Sequence, residues 1–277
     1  MKLKDMPMGL YEKSICTAWP WSEKFALVKD AGYDYFEIAI DATEEKLARL
    51  YDREEMRTIR RESERQDMPL YTFAFTANRF FPLGSPDGEV REKGVSLLCD
   101  ACDFAAYVGA QTINIAAYDV YNAKSTPETE ALFIRSLEKC ADYAALRGVI
   151  ISLETMDSRF IDTTKKAMKY VNMLDSPYIQ IGADPGNITA MGHDPVTDIP
   201  YGGRHIVEVE FKDVLLGNVR DIELGTGIVD FGAVFKMLGE IGYRGFLAFE
   251  MWAHEDPANH PKIFSAIEFL KNKMSDY

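Results

Sequence analysis

Four carboxylates close four consecutive apolar runs in the second half of the chain: Glu154 after VIISL, Asp184 after YIQIGA, Glu210 after HIVEV and Glu250 after GFLAF. A charge at the end of an otherwise buried strand is costly unless something pairs with it. Delivered by successive strand ends, four such charges are what a parallel barrel brings to one mouth. There they suit a divalent cation, an acid/base pair, or both. The plainer reading, that each caps the helix that follows, serves well for one carboxylate and poorly for all four, since strand ends of such barrels are where chemistry collects.

Side-chain alternation extends the argument. If these four acids point inward, so do the residues two positions earlier: Ser152, Gly182, Glu208 and Ala248. Three of these are small and leave room beneath the acids. Glu208 is an extra carboxylate one layer deeper, expected to be protonated near neutral pH or held by donors such as Gln180, a buried water or a lysine.

The elements that must position these residues alternate without interruption. Strand-like runs are MGLYEK, YDYFEIAI, LYTFAF, TINIAAY, VIISLE, YIQIGAD, HIVEVEF and GFLAFEMW. Helical stretches are expected from Ser22 to Ala31, Thr43 to Gln66, Val90 to Val108, Pro127 to Arg147, Asp162 to Leu174, Phe231 to Ile241 and Pro257 to Met274. Glycines 32, 109, 148 and 242 punctuate helix-to-strand turns. Eight strands with helices between them imply parallel pairing and right-handed crossovers. At 277 residues the economical solution is an α/β fold of one domain spanning residues 1–277, a single (β/α)8 TIM barrel.

Composition narrows the partners. A net charge of −13 disfavours nucleic acid, which wants a basic surface. No opening segment reads as a secretory signal, and no apolar stretch reaches the length of a membrane span. Cys99 and Cys102 have CxxC spacing but lie in an amphipathic helix, and with Cys16 and Cys140 they read as reduced thiols of a cytoplasmic protein. There is no GxGxxG or GxxxxGK[ST] stretch, so no nucleotide cofactor is expected.

YEKS, FPLGS (81–85), AAYDVY (116–121), LETMD, DPGN, FKD, GTGIVDF and FEMW occur in that order. Together they resemble the L-ribulose-5-phosphate (equivalently L-xylulose-5-phosphate) 3-epimerases of the xylose-isomerase-like barrel superfamily. The resemblance covers nearly the whole chain. It implies a divalent metal held by glutamate, aspartate, histidine and glutamate from strands five to eight. The first, second and fourth fall on Glu154, Asp184 and Glu250. Glu210 stands where the family reads histidine, and Asn78 stands where it reads histidine before Arg79. A carboxylate in place of imidazole makes the site harder, favouring manganese or magnesium over zinc. Without a cation, four carboxylates repel one another and raise at least one pKa.

The resemblance implies epimerisation at carbon 3 of a ketopentose phosphate. The proton there is acidic because the carbonyl is adjacent, and Glu154 and Glu250 are the candidate acid/base pair. Lys13, Arg79, Lys212 and Arg220 are candidates for the phosphate, against the ordinary reading of solvated loop charges. Gly84 and Ser85 offer a backbone nest or an ordinary turn. Tyr11, Tyr118 and Trp252 are expected at the mouth, with Asn78 and Asn187 (of DPGN) as hydrogen-bonding partners of substrate. His205 reads as structural, His193 and His254 as loop residues near the mouth, and none of the four histidines, His260 included, has metal-ligand spacing. Lys212 is also a candidate counter-charge for the acids. The alternatives are a diverged sugar-phosphate binder without metal or activity, and an epimerase or isomerase of unphosphorylated or hexulose sugars. A homodimer is expected by analogy; a nucleic-acid or membrane partner is not.

Overall fold

The computed structural model describes residues 2–275 and 277. Eight parallel strands close in sequence order: β1 (Met8–Tyr11), β2 (Tyr35–Ile40), β3 (Thr72–Phe75), β4 (Thr112–Ala116), β5 (Ile150–Glu154), β6 (Ile179–Ala183), β7 (Ile206–Phe211) and β8 (Phe246–Phe249), which pairs back to β1. The outer layer is α1 (Trp21–Ala31), α2 (Glu44–Ala48), α3 (Arg53–Gln66), α4 (Gly88–Val108), α5 (Pro127–Arg147), α6 (Thr164–Leu174), α7 (Pro185–Ala190), α8 (Pro195–Asp198), α9 (Phe231–Glu240) and α10 (Pro261–Met274). Strands buried on both faces must be apolar outward as well as packed inward. Aromatic pairs join the layers: Phe25 to Phe36 (5.2 Å between rings), Phe104 to Phe73 (5.2 Å) and Phe235 to Phe211 (4.9 Å). Gly109 and Gly148 end α4 and α5 in the left-handed conformation, with φ of 93° and 68°.

The expected (β/α)8 barrel is present, with local departures. The stretch 43–66 divides into α2 and α3, because the Asp52 side chain accepts from the backbone N–H groups of Glu54 and Glu55 and starts a new helix. Between β6 and β7, where no helix was expected, α7 and α8 form. Each opens with an aspartate cap followed by proline, Asp184-Pro185 and Asp194-Pro195, and each is too short for periodicity to reveal. Strand β1 stops at Tyr11 rather than Lys13, since Glu12 turns into a buried cluster of Lys24, Lys46 and Arg49. The last helical stretch breaks into a 3-10 turn, Pro257–Asn259, and α10.

The barrel interior is filled from its amino end upward. A Cβ on Gly9 would lie 2.2 Å from the Tyr35 ring, which occupies that space and donates its hydroxyl to the Leu247 carbonyl at 3.0 Å. Above this floor lies a polar layer of Glu37, Thr72, Asn114, Ser152 and Glu208, all buried. Glu208 points inward, as alternation requires. Its partner is not Gln180, which turns to the amino rim, donating to the Pro177 carbonyl and meeting His205 Nδ1. Glu208 faces Glu37, whose Oε1 accepts from Thr72 at 2.9 Å. Neither oxygen of Glu208 meets a hydrogen-bond partner with both acids ionised. Burial and mutual repulsion lift Glu37 well above the usual carboxylate range, and burial pushes Glu208 up to about 7. One proton shared between the two resolves both facts. No described helix is long and apolar enough to cross a membrane.

Candidate active site

The carboxyl ends of β5, β6 and β7 deliver Glu154, Asp184 and Glu210 so that one ligand atom from each lies within 4.8 Å of the others, all three residues buried. Asp184 serves two roles. Its Oδ1 caps α7 by accepting from Asn187 N–H at 3.0 Å, so the plainer capping reading holds for this residue; its Oδ2 has no hydrogen-bond donor. Asn187 Nδ2 donates to Glu154 Oε1 at 3.1 Å and to the Thr155 carbonyl at 2.9 Å, locking two of the acids to one residue. Glu250 arrives one residue past β8 and stands on the far side of Lys212. The Lys212 ammonium sits 2.6 Å from Asp184 Oδ2 and 2.5 Å from Glu250 Oε2, almost fully buried. The first of these is a charge pairing without hydrogen-bond alignment.

The electrostatics follow from packing acids in a dry mouth. Burial pushes Glu154 well above the usual range, Glu250 and Asp184 push it further, and Lys212 only partly opposes them. Glu210 is raised by burial, then by Glu250, Glu154 and Glu37. Asp184 is pushed up to about 6 by burial and Glu250, against the pull of Lys212. Burial disfavours the Lys212 ammonium, but Asp184, Glu250, Glu154 and Glu210 outweigh it and hold its pKa well above the ordinary lysine value. Three carboxylates gathered in a dry mouth form an all-oxygen donor set suited to a hard divalent cation, which would compete with the Lys212 ammonium for Asp184 Oδ2.

Other expected residues divide into three groups. Tyr11 is buried inside the barrel with Ala39 and Ala74, under the charges of Glu250, Glu210 and Arg79. Arg79 lies 5.9 Å from the Tyr118 ring, is stabilised as a cation by Tyr118 and Glu154, and has an unpartnered buried Nε. Tyr118 donates to Asp157. Asn78 donates to the Ala116 carbonyl and keeps Oδ1 free. Trp252 receives both Lys212 and Arg220 over its ring at 5.9 Å each. A cavity of about 520 Å³ beside the mouth is lined by Lys212, Glu250, Trp252, His254 and Lys262 among others.

Lys13 and the backbone of Ser85 have partners of their own. Lys13 pairs with Asp41 at 2.8 Å on the rim. The nest reading of Gly84 and Ser85 fails, because their backbone N–H groups already donate to the Asp119 and Pro82 carbonyls. A Cβ on Gly84 would lie 2.5 Å from the carbonyl oxygens of Asp119 and Thr129, so the glycine marks close packing of this turn. Among the histidines, His193 lies 3.4 Å from Asp162, His254 meets Asp221 on the rim, His205 sits at the amino end, and His260 accepts from Cys16 N–H in the core. Sequence reasoning passed over Asn114, Glu37 and Asp157. The first two were signalled as polar residues on the inward parity of apolar strands; Asp157 lies in a loop with no such sign.

The carboxyl mouth of the closed parallel barrel gathers acids and an arginine, and the likeness of the whole chain to named 3-epimerases makes it an enzyme of the isomerase class, a carbohydrate epimerase. The chain belongs to the xylose isomerase-like TIM barrel family, whose model matches residues 25–273. It is 33% identical over 278 aligned residues to the L-ribulose-5-phosphate 3-epimerases UlaE of Salmonella paratyphi A and of Escherichia coli, covering 99% of this chain and 97% of each relative. Among solved structures it superposes on D-allulose 3-epimerase from Methylomonas sp. in complex with D-allulose, with a TM-score of 0.82, 21% identity and 97% of both chains covered. It also superposes on D-psicose 3-epimerase from Clostridium cellulolyticum H10 with D-tagatose (TM-score 0.80, 16% identity, 97% and 99% covered). At these identities the structural matches speak for the fold alone.

Proposed function

We propose that the whole chain, residues 1–277, works as one barrel domain that epimerises carbon 3 of a ketopentose phosphate, interconverting L-ribulose 5-phosphate and L-xylulose 5-phosphate with the help of a divalent cation. The observation that carries this is the convergence of Glu154, Asp184 and Glu210 within 4.8 Å, with Glu250 across the mouth. Glu154, Asp184, Glu210 and, on displacement of Lys212, Glu250 would hold the cation, manganese or magnesium in preference to zinc for an all-oxygen set. Bound there, it supplies Lewis-acid polarisation of the ketose carbonyl and its neighbouring hydroxyl.

The protein's own groups move the proton. Glu154 removes the proton from carbon 3 on one face, the electron pair enters the carbonyl to give the enediolate, and Glu250 in its acid form returns a proton to the other face. The cycle leaves Glu154 protonated and Glu250 ionised, and exchange with solvent resets them. Arg79, with its unpartnered Nε, is the group best placed to meet an anionic or hydroxylated part of the substrate. Arg220 and Trp252 offer a further cation and an apolar wall.

One observation favours a second reading. Lys212 already neutralises Asp184 and Glu250, as a metal-free sugar-phosphate binder would require. Assaying carbon-3 exchange in deuterated water separates the readings, using L-ribulose 5-phosphate, L-ribulose and D-allulose with manganese, magnesium or zinc. Exchange of the phosphorylated pentulose that depends on added manganese or magnesium supports the epimerase. Exchange of none, with saturable binding of the phosphorylated sugar, supports the binder.

A further inference from the structure

Glu210 is the acid whose support is least obvious, and that support comes from the barrel interior. Asn114, on β4 and buried, donates Nδ2 to Glu210 Oε2 at 3.3 Å. Its Oδ1 accepts from the Ser152 hydroxyl on β5 at 2.9 Å. A carboxylate only accepts hydrogen bonds, so an ionised Glu210 selects the amide orientation that presents Nδ2, and Ser152 satisfies the oxygen left facing away. The amide fits there because position 182, on β6, is glycine: a Cβ on Gly182 would lie 2.3 Å from Asn114 Oδ1. The room that the small residue leaves under the acids is filled by this side chain.

We infer that Asn114, oriented by Ser152 and admitted by Gly182, is a positioning residue that makes a carboxylate serviceable as the third cation ligand. It holds one oxygen of Glu210 from below and leaves the other for the cation. A ligating carboxylate needs such an outer partner to fix its orientation, and loss of one typically weakens metal affinity about 10–100-fold. The inference rests on the cation-site reading given above.

The test is manganese binding to chelator-stripped protein by calorimetry, with the spin-resonance spectrum of bound manganese as a second readout and a thermal melt as the folding control. Asn114→Leu should weaken binding about 10–100-fold and alter the spectrum. Gly182→Ala, which pushes on Asn114 without removing it, should move both readouts in the same direction. The deciding measurement is a double-mutant cycle. In a Glu210→His background, where the third ligand no longer takes a hydrogen bond in this way, adding Asn114→Leu should change affinity less than about threefold. Wild-type affinity in Asn114→Leu overturns the inference alone. So does an equal loss in both backgrounds, since Asn114 would then act through the fold. Absence of saturable manganese or magnesium binding to the wild-type protein overturns the cation-site reading, and the inference with it.

Discussion

Replacing Lys212 by methionine isolates what its ammonium does for the acids. The methionine keeps most of the buried stem and removes only the charge that lies 2.6 Å from Asp184 and 2.5 Å from Glu250. Breaking a buried ion pair by removing one partner costs about 3–5 kcal/mol, because the other partner is left uncompensated. In a chain of this size each kcal/mol moves the melting temperature by about 2–4 °C, so metal-free Lys212→Met should melt on the order of 10 °C lower. The loss should depend on pH in a defined sense. Asp184 and Glu154 are already raised by burial and by Glu250, and losing Lys212 raises them further. Their folded-state pKa values then exceed the unfolded ones by a wider margin, so the variant holds protons that the unfolded chain has released, and its stability falls as pH rises from about 4 through the raised folded values. Manganese should reverse the deficit. At about a hundred times its dissociation constant a ligand adds ~2.7 kcal/mol, and the variant no longer has an ammonium to displace, so its affinity should exceed that of the wild type. The assay is a pair of melts with and without manganese at two pH values, plus calorimetric titration. If Lys212→Met melts like the wild type at high pH, or binds manganese more weakly, Lys212 is not the counter-charge of this site.

Three further outcomes are expected. Glu250→Gln should slow carbon-3 proton exchange by about a hundredfold to ten-thousandfold, a loss read on protein that circular dichroism shows to be folded; near-wild-type exchange would remove Glu250 from the acid/base pair. Glu208, pushed up to about 7, contributes stability that is full below its unfolded value and is lost as pH rises through 7. Denaturant midpoints of the metal-free protein should therefore fall between about pH 5 and 8, and Glu208→Gln should flatten that slope; an unchanged slope refutes the shared proton with Glu37. Glu12 has the opposite sign. Lys46, Arg49 and Lys24 overcome its burial and hold it well below the usual range, so its contribution is present at neutral pH and lost in acid. Glu12→Gln should cost about 3–5 kcal/mol at neutral pH by urea titration, a cost that shrinks as pH is lowered.

The β/α alternation was legible because a closed parallel barrel leaves its mark on every strand and helix end, from HIVEVEF to the glycines at 109 and 148. Strand-end placement and two-residue parity put Glu154, Asp184, Glu210 and Glu250 at one mouth and Glu208 beneath them, since alternation along a strand is a local property. What lies across the barrel is not local. Asn114 reaches Glu210 only because Gly182 leaves space for its amide, and those residues stand on β4, β7 and β6, with the pairing of β6 and β7 shifted between Ile181 and Gly182. Nor could spacing along the chain show that FPLGS is a tightly packed turn, that Lys13 is bound to Asp41, or that Glu37 shares the interior with Glu208. Lys212 is the sharpest case. Its sequence neighbour Asp213 caps the loop that follows through Gly225 and Gly227, which leaves the ammonium to Asp184 and Glu250. A chain can name the charges that reach a mouth; which of them pair is decided by distances of a few ångströms set by barrel closure, because in a buried site the pairing energy falls steeply with separation.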